Sequence, residues 1–121
     1  MSNAQEADAK VAKVGQASIK VAKDFSEIPG PRFRREGDWS GEKFLEEMLG
    51  PRFKQALGEG CTLLVDLDGT QGYATSFLEA SFGGLAREFG PDVVLAKLKL
   101  KSLDEPYLES QIRNYIKDAR A

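Results

Sequence analysis

The pattern of apolar and polar positions divides the chain into alternating strands and helices. Cys61–Leu67 (CTLLVDL) is apolar at nearly every position, which predicts a strand buried on both faces. Asp68–Ala74 is polar and contains Gly69 and Gly72, so it reads as a turn. From Thr75 to Phe89 the period changes. Leu78, Phe82, Leu85 and Phe89 recur at helical spacing and predict a helix with one buried stripe. Open α/β folds place their functional groups where a central strand feeds a loop and then a helix N-terminus. The connection after Leu67 is therefore the place to look for function.

The flanking segments follow the same logic. Ala17–Phe25 alternates, with Ile19, Val21 and Phe25 on one side, and predicts a strand covered on one face. Ile28-Pro29-Gly30-Pro31 is a turn, and Arg32–Glu36 is expected to form a short, arginine-rich edge strand hairpinned onto the first. Ser40 suits the N-cap of a helix carrying Phe44, Leu45, Met48 and Leu49 inward, with Trp39 stapling its start. Gly50-Pro51 is expected to interrupt it, Pro51 to start a second helical stretch with Phe53 and Leu57, and Gly58 and Gly60 to end that. Gly90-Pro91 reads as a stop. Val93–Ser102 alternates, with Lys97, Lys99 and Lys101 on a wet face, and predicts a strand. Asp104–Pro106 opens a last helix with Leu108, Ile112, Tyr115, Ile116 and Ala119 inside. The predicted order is β–β–α–β–α–β–α, a small α/β sheet with parallel pairing after the first hairpin.

Only a short tail lies outside this scheme. Residues 1–16 are polar, with only Val11 and Val14 to bury, and Ser2-Asn3-Ala4 reads as residues left by cloning. Ala7–Val14 could form a short fraying helix. Residues 17–121 are expected to be one domain, since 121 residues suffice for a single core.

Composition narrows the chemistry. A net charge of −2 supplies no bulk attraction to nucleic acid or anionic membrane. No apolar run approaches a membrane span. The lone Cys61 cannot form an internal disulfide and fits a reducing, cytoplasmic setting. With no histidine anywhere, histidine-based triads, histidine general bases and histidine-containing zinc sites are excluded. Gly83-Gly84 inside a helix costs about 1 kcal/mol per glycine, which points to close packing by another element.

Three readings of the central loop remain. Leu64-Val65-Asp66-Leu67-Asp68-Gly69-Thr70 resembles the first motif of the haloacid dehalogenase-like phosphohydrolases, which implies Asp66 as nucleophile, Asp68 as acid/base and Mg²⁺ between them. The chemistry needs further acidic ligands, and no acidic pair ends a later strand. The motif also sits on the third predicted strand, where that family carries it on the first. The bland alternative is two aspartates capping a strand end and a glycine turn.

The second resemblance is broader. Val65-Asp66-Leu67-Asp68-Gly69, Ser76-Phe77-Leu78-Glu79-Ala80-Ser81-Phe82-Gly83-Gly84-Leu85 and Trp39-Ser40-Gly41-Glu42-Lys43-Phe44 are together similar to a bacterial STAS-like family of unknown function, related to anti-sigma-factor antagonists and sulfate-transporter C-termini. The likeness runs from about Ile19 to Ala119 and implies a STAS-like α/β domain. In antagonists, an Asp-Ser-Ser/Thr-Gly-Leu motif opens the helix after the central strand, and its first Ser is phosphorylated by an ATP-binding anti-sigma kinase. Here the motif falls on Ala74-Thr75-Ser76-Phe77-Leu78, so Thr75 and Ser76 are the implied phospho-acceptors, although Asp and Gly are replaced by Ala74 and Phe77. The resemblance implies a protein partner of the anti-sigma or histidine-kinase-like ATPase type. The loop residues expected to meet it are Asp68, Gly69, Thr70, Gly72 and Tyr73. Thr75 or Ser76 is in any case expected to cap the helix.

The third reading takes Lys97, Lys99 and Lys101 as a nucleic-acid face. No aromatics are interleaved with them, and a lysine stripe more often blunts a sheet edge. The expectation is a non-catalytic regulatory interaction module of STAS-like type, without cofactor or metal, binding neither nucleic acid nor membrane.

Overall fold

The computed structural model describes residues 16–119; the expected helix at Ala7–Val14 lies outside them. Three parallel strands form the sheet, in the order β1 (Gln16–Lys20), β2 (Thr62–Asp66), β3 (Leu98–Lys101). Ile19 lies beside Val65 and Val65 beside Leu100 in the register. Parallel pairing requires crossovers, and helices supply them. Helix α1 spans residues 41–58, α2 residues 75–89, α3 Pro91–Lys97 and α4 Tyr107–Asp118.

The α/β character and the position of the central strand stand as expected, and four elements differ. The first strand stops at Lys20. The Asp24 carboxylate accepts the Lys20 N–H at 2.8 Å, and Ser26 N–H closes a five-residue turn on the Val21 carbonyl at 2.9 Å. Val21–Phe25 is therefore a π-helical turn.

Arg32–Glu36 is not a strand. Glu36 accepts the Phe33 N–H at 3.1 Å, and Arg34–Glu36 winds into a 3₁₀ turn. Its arginines reach helices instead of a sheet edge. Arg34 meets Glu46 at 2.9 Å and Glu47 at 3.0 Å, and Arg32 pairs with Glu79.

Val93–Ser102 is half helix. Pro91 sits at the first helical position after Gly90, where its missing N–H costs nothing, and strand alternation holds only from Leu98. The observed order is thus β–α–β–α–α–β–α.

Helix α1 also runs through Gly50-Pro51. The Gly50 N–H donates to the Leu45 carbonyl five residues back. This widened turn admits the proline, which has no N–H of its own to place.

One face of the sheet is buried. Ile19, Leu63, Val65, Leu67 and Leu98 are sealed against Phe44, Phe53, Phe77, Leu78, Phe82, Leu85, Ile112 and Ile116. The other face carries exposed Ser18, Lys20, Lys99 and Lys101, with Leu64 and Asp66 half-buried. The central strand is consequently fully covered on one side only, against the two-sided burial its composition suggested. Helix α2 occupies the centre of the helical layer. Gly41 of α1 abuts the Phe77 backbone, and Gly84 of α2 abuts Leu45, so small residues bring α1 and α2 together. The buried Ser81 hydroxyl of α2 donates to the Phe77 carbonyl of the same helix at 2.8 Å.

Candidate functional site

The connection from β2 to α2 is held from three sides. Asp66, at the end of β2, accepts the Asp68 N–H on Oδ1 at 3.0 Å. Its Oδ2 faces Lys20 Nζ at 3.1 Å and Lys101 Nζ at 3.7 Å, one lysine from each neighbouring strand. Partial burial acts to raise the Asp66 pKa, but the Asp68 N–H and the two ammoniums outweigh it and hold the carboxyl below its ordinary range. Asp68 Oδ1 accepts the Asp104 N–H at 2.9 Å, and Asp104 Oδ2 accepts the Gly69 N–H at 3.0 Å. This reciprocal pair clips the loop after β2 to the loop after β3. Leu67 N–H reinforces it by donating to the Lys101 carbonyl at 2.8 Å.

Within the loop, Gly69 has φ +92° and lies against Ala22, a conformation and a space that suit glycine. Thr70 Oγ1 accepts the Gly72 N–H at 3.2 Å, and Gln71 N–H donates to the Glu27 carbonyl at 2.8 Å. The Tyr73 hydroxyl turns back to donate to the Leu67 carbonyl at 2.8 Å, and burial pushes its phenol well above the usual range. Between this loop and the start of α4 lies a cleft of about 230 Å³, walled by Leu67, Thr70, Gln71, Gly72, Ser102, Asp104, Glu105 and Leu108.

A family model described as STAS-like domain of unknown function (DUF4325) matches residues 40–108, which include α1, β2, the clipped loop, α2 and β3. The chain belongs to this family. No curated protein and no solved structure matches it. In this STAS-like domain the β2–α2 connection brings together all the loop residues singled out from the sequence, Asp68, Gly69, Thr70, Gly72 and Tyr73. Asp68 and Tyr73 hold the loop's shape, while Gly69 is exposed and Thr70 and Gly72 line the cleft.

Thr75 and Ser76 open α2 but do not cap it. The N-cap is Ala74, which offers no side-chain acceptor, so the helix starts on backbone alone. Thr75 is exposed and Ser76 half-buried. The capping role expected of them is thus not the one they have.

The two aspartates of the phosphohydrolase motif point apart in function. Asp66 lies between lysines and Asp68 is engaged with the loop after β3. Among the described residues no group of three or more Cys, Asp or Glu side chains is arranged to hold a metal ion. Of the three lysines, Lys99 and Lys101 share the open sheet face, where Lys101 is drawn to Asp66, while Lys97 ends α3.

Two features escaped the sequence reading. One is the Asp68–Asp104 clip, and the other is the exposed Leu103 and Tyr107 beside it. A signal existed for the first: Leu67-Asp68 and Leu103-Asp104 each follow a strand, and these two strands are neighbours. No helix is long and apolar enough to cross a membrane among the described residues.

Proposed function

We propose that this STAS-like domain is a non-catalytic, cytoplasmic recognition module that binds a regulatory protein partner through the 68–76 loop and the first turn of α2. The carrying observation is the combination of a clipped loop with an uncapped helix start. Asp68, Asp104 and Tyr73 spend their hydrogen bonds on holding the loop, so the surface is pre-organised and loses little freedom on binding. Thr75 is exposed at the helix start, where a phosphate of roughly −1.5 to −2 charge is favourably placed. A partner of the anti-sigma or histidine-kinase-like ATPase class is the one the family likeness suggests, with Thr75 and Ser76 as its acceptors. Asp66 supports the non-catalytic side of the reading, because both its oxygens are already engaged, one by the Asp68 N–H and the other by two ammoniums.

Two incubations test it. With Mg²⁺ and para-nitrophenyl phosphate no turnover is expected; turnover abolished by Asp66→Asn would overturn the non-catalytic reading. With ATP and an anti-sigma-type kinase, phosphate is expected on Thr75 or Ser76, located by mass spectrometry. Its absence from both removes the switch and leaves recognition alone.

A further inference from the structure

Purely parallel sheets are almost always covered on both faces. Here β1, β2 and β3 all run parallel, yet α1 to α4 all join the one core cluster that holds Ile19, Val65 and Leu98. The opposite face is left open, and two rows of residues cross it. One row is Ser18, Leu64 and Lys99; the next is Lys20, Asp66 and Lys101. Ser18 and the three lysines are exposed, and Leu64 is half-buried. Lys20 and Lys101 share the single carboxylate, while Lys99 forms no ion pair among the described residues. The face therefore presents one apolar side chain inside an excess of positive charge. A second copy docking through the same face would set lysines against lysines.

The chain's own N-terminal segment is better matched. Residues 5–15 lead directly into β1 at Gln16 and lie outside the described residues. In the sequence Ala7, Asp8, Val11 and Val14 fall at the spacing of one helical face, and Glu6, Lys10 and Lys13 fall on the neighbouring stripe. An apolar stripe with one carboxylate in it complements Leu64 and the lysines in kind and in charge.

We infer that residues 5–15 fold back as a short helix over the open sheet face, setting Val11 on Leu64 and Asp8 among Lys20, Lys99 and Lys101. Gly15 permits the reversal of direction that this requires. The dimensions fit: three strands about 4.8 Å apart span ~10 Å, the width of one helix. Counted back from Gln16 at the rise of a helix, Val11 comes after about 7 Å and Asp8 after about 12 Å. Along β1 the row of Leu64 lies about 7 Å from Gln16, and the row of Asp66 about 13 Å. A free helix this short is marginal in water. The covalent tether offsets that by holding the segment at an effective concentration on the order of millimolar. The inference does not depend on recognition at the β2–α2 loop.

The test uses the full chain with a nitroxide on Lys10→Cys, off the docking stripe. Mass spectrometry confirms a single label, since Cys61 is buried. Paramagnetic broadening of amide NMR signals is expected across the sheet as far as Lys99 and Lys101, on the strand farthest from the tether. Val11→Asp in the labelled chain should remove the broadening at Lys99 and Lys101. Asp8→Lys should weaken it, and Lys99→Glu added to Asp8→Lys should restore it. All these positions lie in the segment or on the exposed sheet face, and circular dichroism checks that each variant is folded. Broadening confined to the surroundings of Gln16, such as Glu59 and Gly60, overturns the inference, as does broadening at Lys99 that survives Val11→Asp. A labelled chain that broadens Lys99 of an unlabelled, isotope-enriched copy as strongly as its own also overturns it, because the segment then covers a second molecule.

Discussion

Replacing Gly41 by alanine should destabilise the fold, although the residue lies in a helix where alanine is normally preferred. A Cβ at this position would sit 2.7 Å from the Phe77 carbonyl oxygen, 3.1 Å from the Ala80 Cβ and 3.2 Å from the Phe77 Cα. The nearest atom belongs to the backbone of α2, and Phe77 and Leu78 are themselves fully buried, so that backbone has little room to retreat. Overpacking of this kind costs about 1–3 kcal/mol. The helix preference of alanine over glycine offsets at most ~1 kcal/mol. It offsets less at the first helical position, where the Gly41 N–H is bonded outside the helix to the Pro31 carbonyl at 2.8 Å.

A net loss of about 1–2 kcal/mol follows, and at about 4–8 °C per kcal/mol for a domain near 100 residues the midpoint should fall by roughly 5–15 °C. Gly84→Ala is the control. Its new Cβ would meet only the end of the Leu45 side chain, Cδ2, at 2.6 Å, and the next Leu45 atom is at 3.8 Å. That side chain can rotate, so the helix preference compensates and the net change should be near zero. Urea unfolding and thermal melts, followed by Trp39 fluorescence and far-ultraviolet circular dichroism, measure both. If Gly41→Ala is as stable as the parent while Gly84→Ala is the damaging change, the argued approach of α1 onto α2 is wrong.

Two further outcomes test other parts of the structure. Asp66 is held below its ordinary pKa in the fold, so its contribution is present above the unfolded carboxylate value and is lost as pH falls from about 4 through the folded value. The stability gap between the parent and Asp66→Asn should therefore be widest near neutral pH and close in acid; urea midpoints showing a gap independent of pH would contradict the lysine pairing. Ser40, fully buried, accepts the Lys43 N–H on its hydroxyl at 3.0 Å and caps α1. Ser40→Ala should lose about 1 kcal/mol in the same melts, and an unchanged midpoint would show the cap to be idle.

Much of the fold was legible in local pattern. The helix stripe Leu78, Phe82 and Leu85 is buried as its spacing implied, and Phe89 packs half-buried on Phe53. The last helix buries Leu108, Ile112 and Ile116, and Ser40 caps where its position suggested. The misread segments were those with two readings. Val21–Phe25 alternates like a strand, yet Asp24 captures the Lys20 N–H and winds it into a turn. Val93–Lys97 alternates too, yet Pro91 seeds a helix there. Arginines at 32–36 looked like an edge strand because their acidic partners, Glu79 and Glu46, lie far along the chain. Trp39 stands before the capped helix as expected, but its ring packs on Phe25 at 5.4 Å.

Taken alone, the order of residues determined the family, the central strand, the position of the loop after it and the exclusion of histidine chemistry. These are properties of composition and of nearest neighbours along the backbone. Only the tertiary structure decided which sheet face is open, that Asp66 is shared by Lys20 and Lys101, and that Asp68 is clipped to Asp104, 36 residues away. Periodicity records that a side chain turns toward a core; it carries no record of which distant donor will stand opposite a polar one. Parallel pairing makes that choice, because it sets side by side the ends of strands separated by a whole crossover helix.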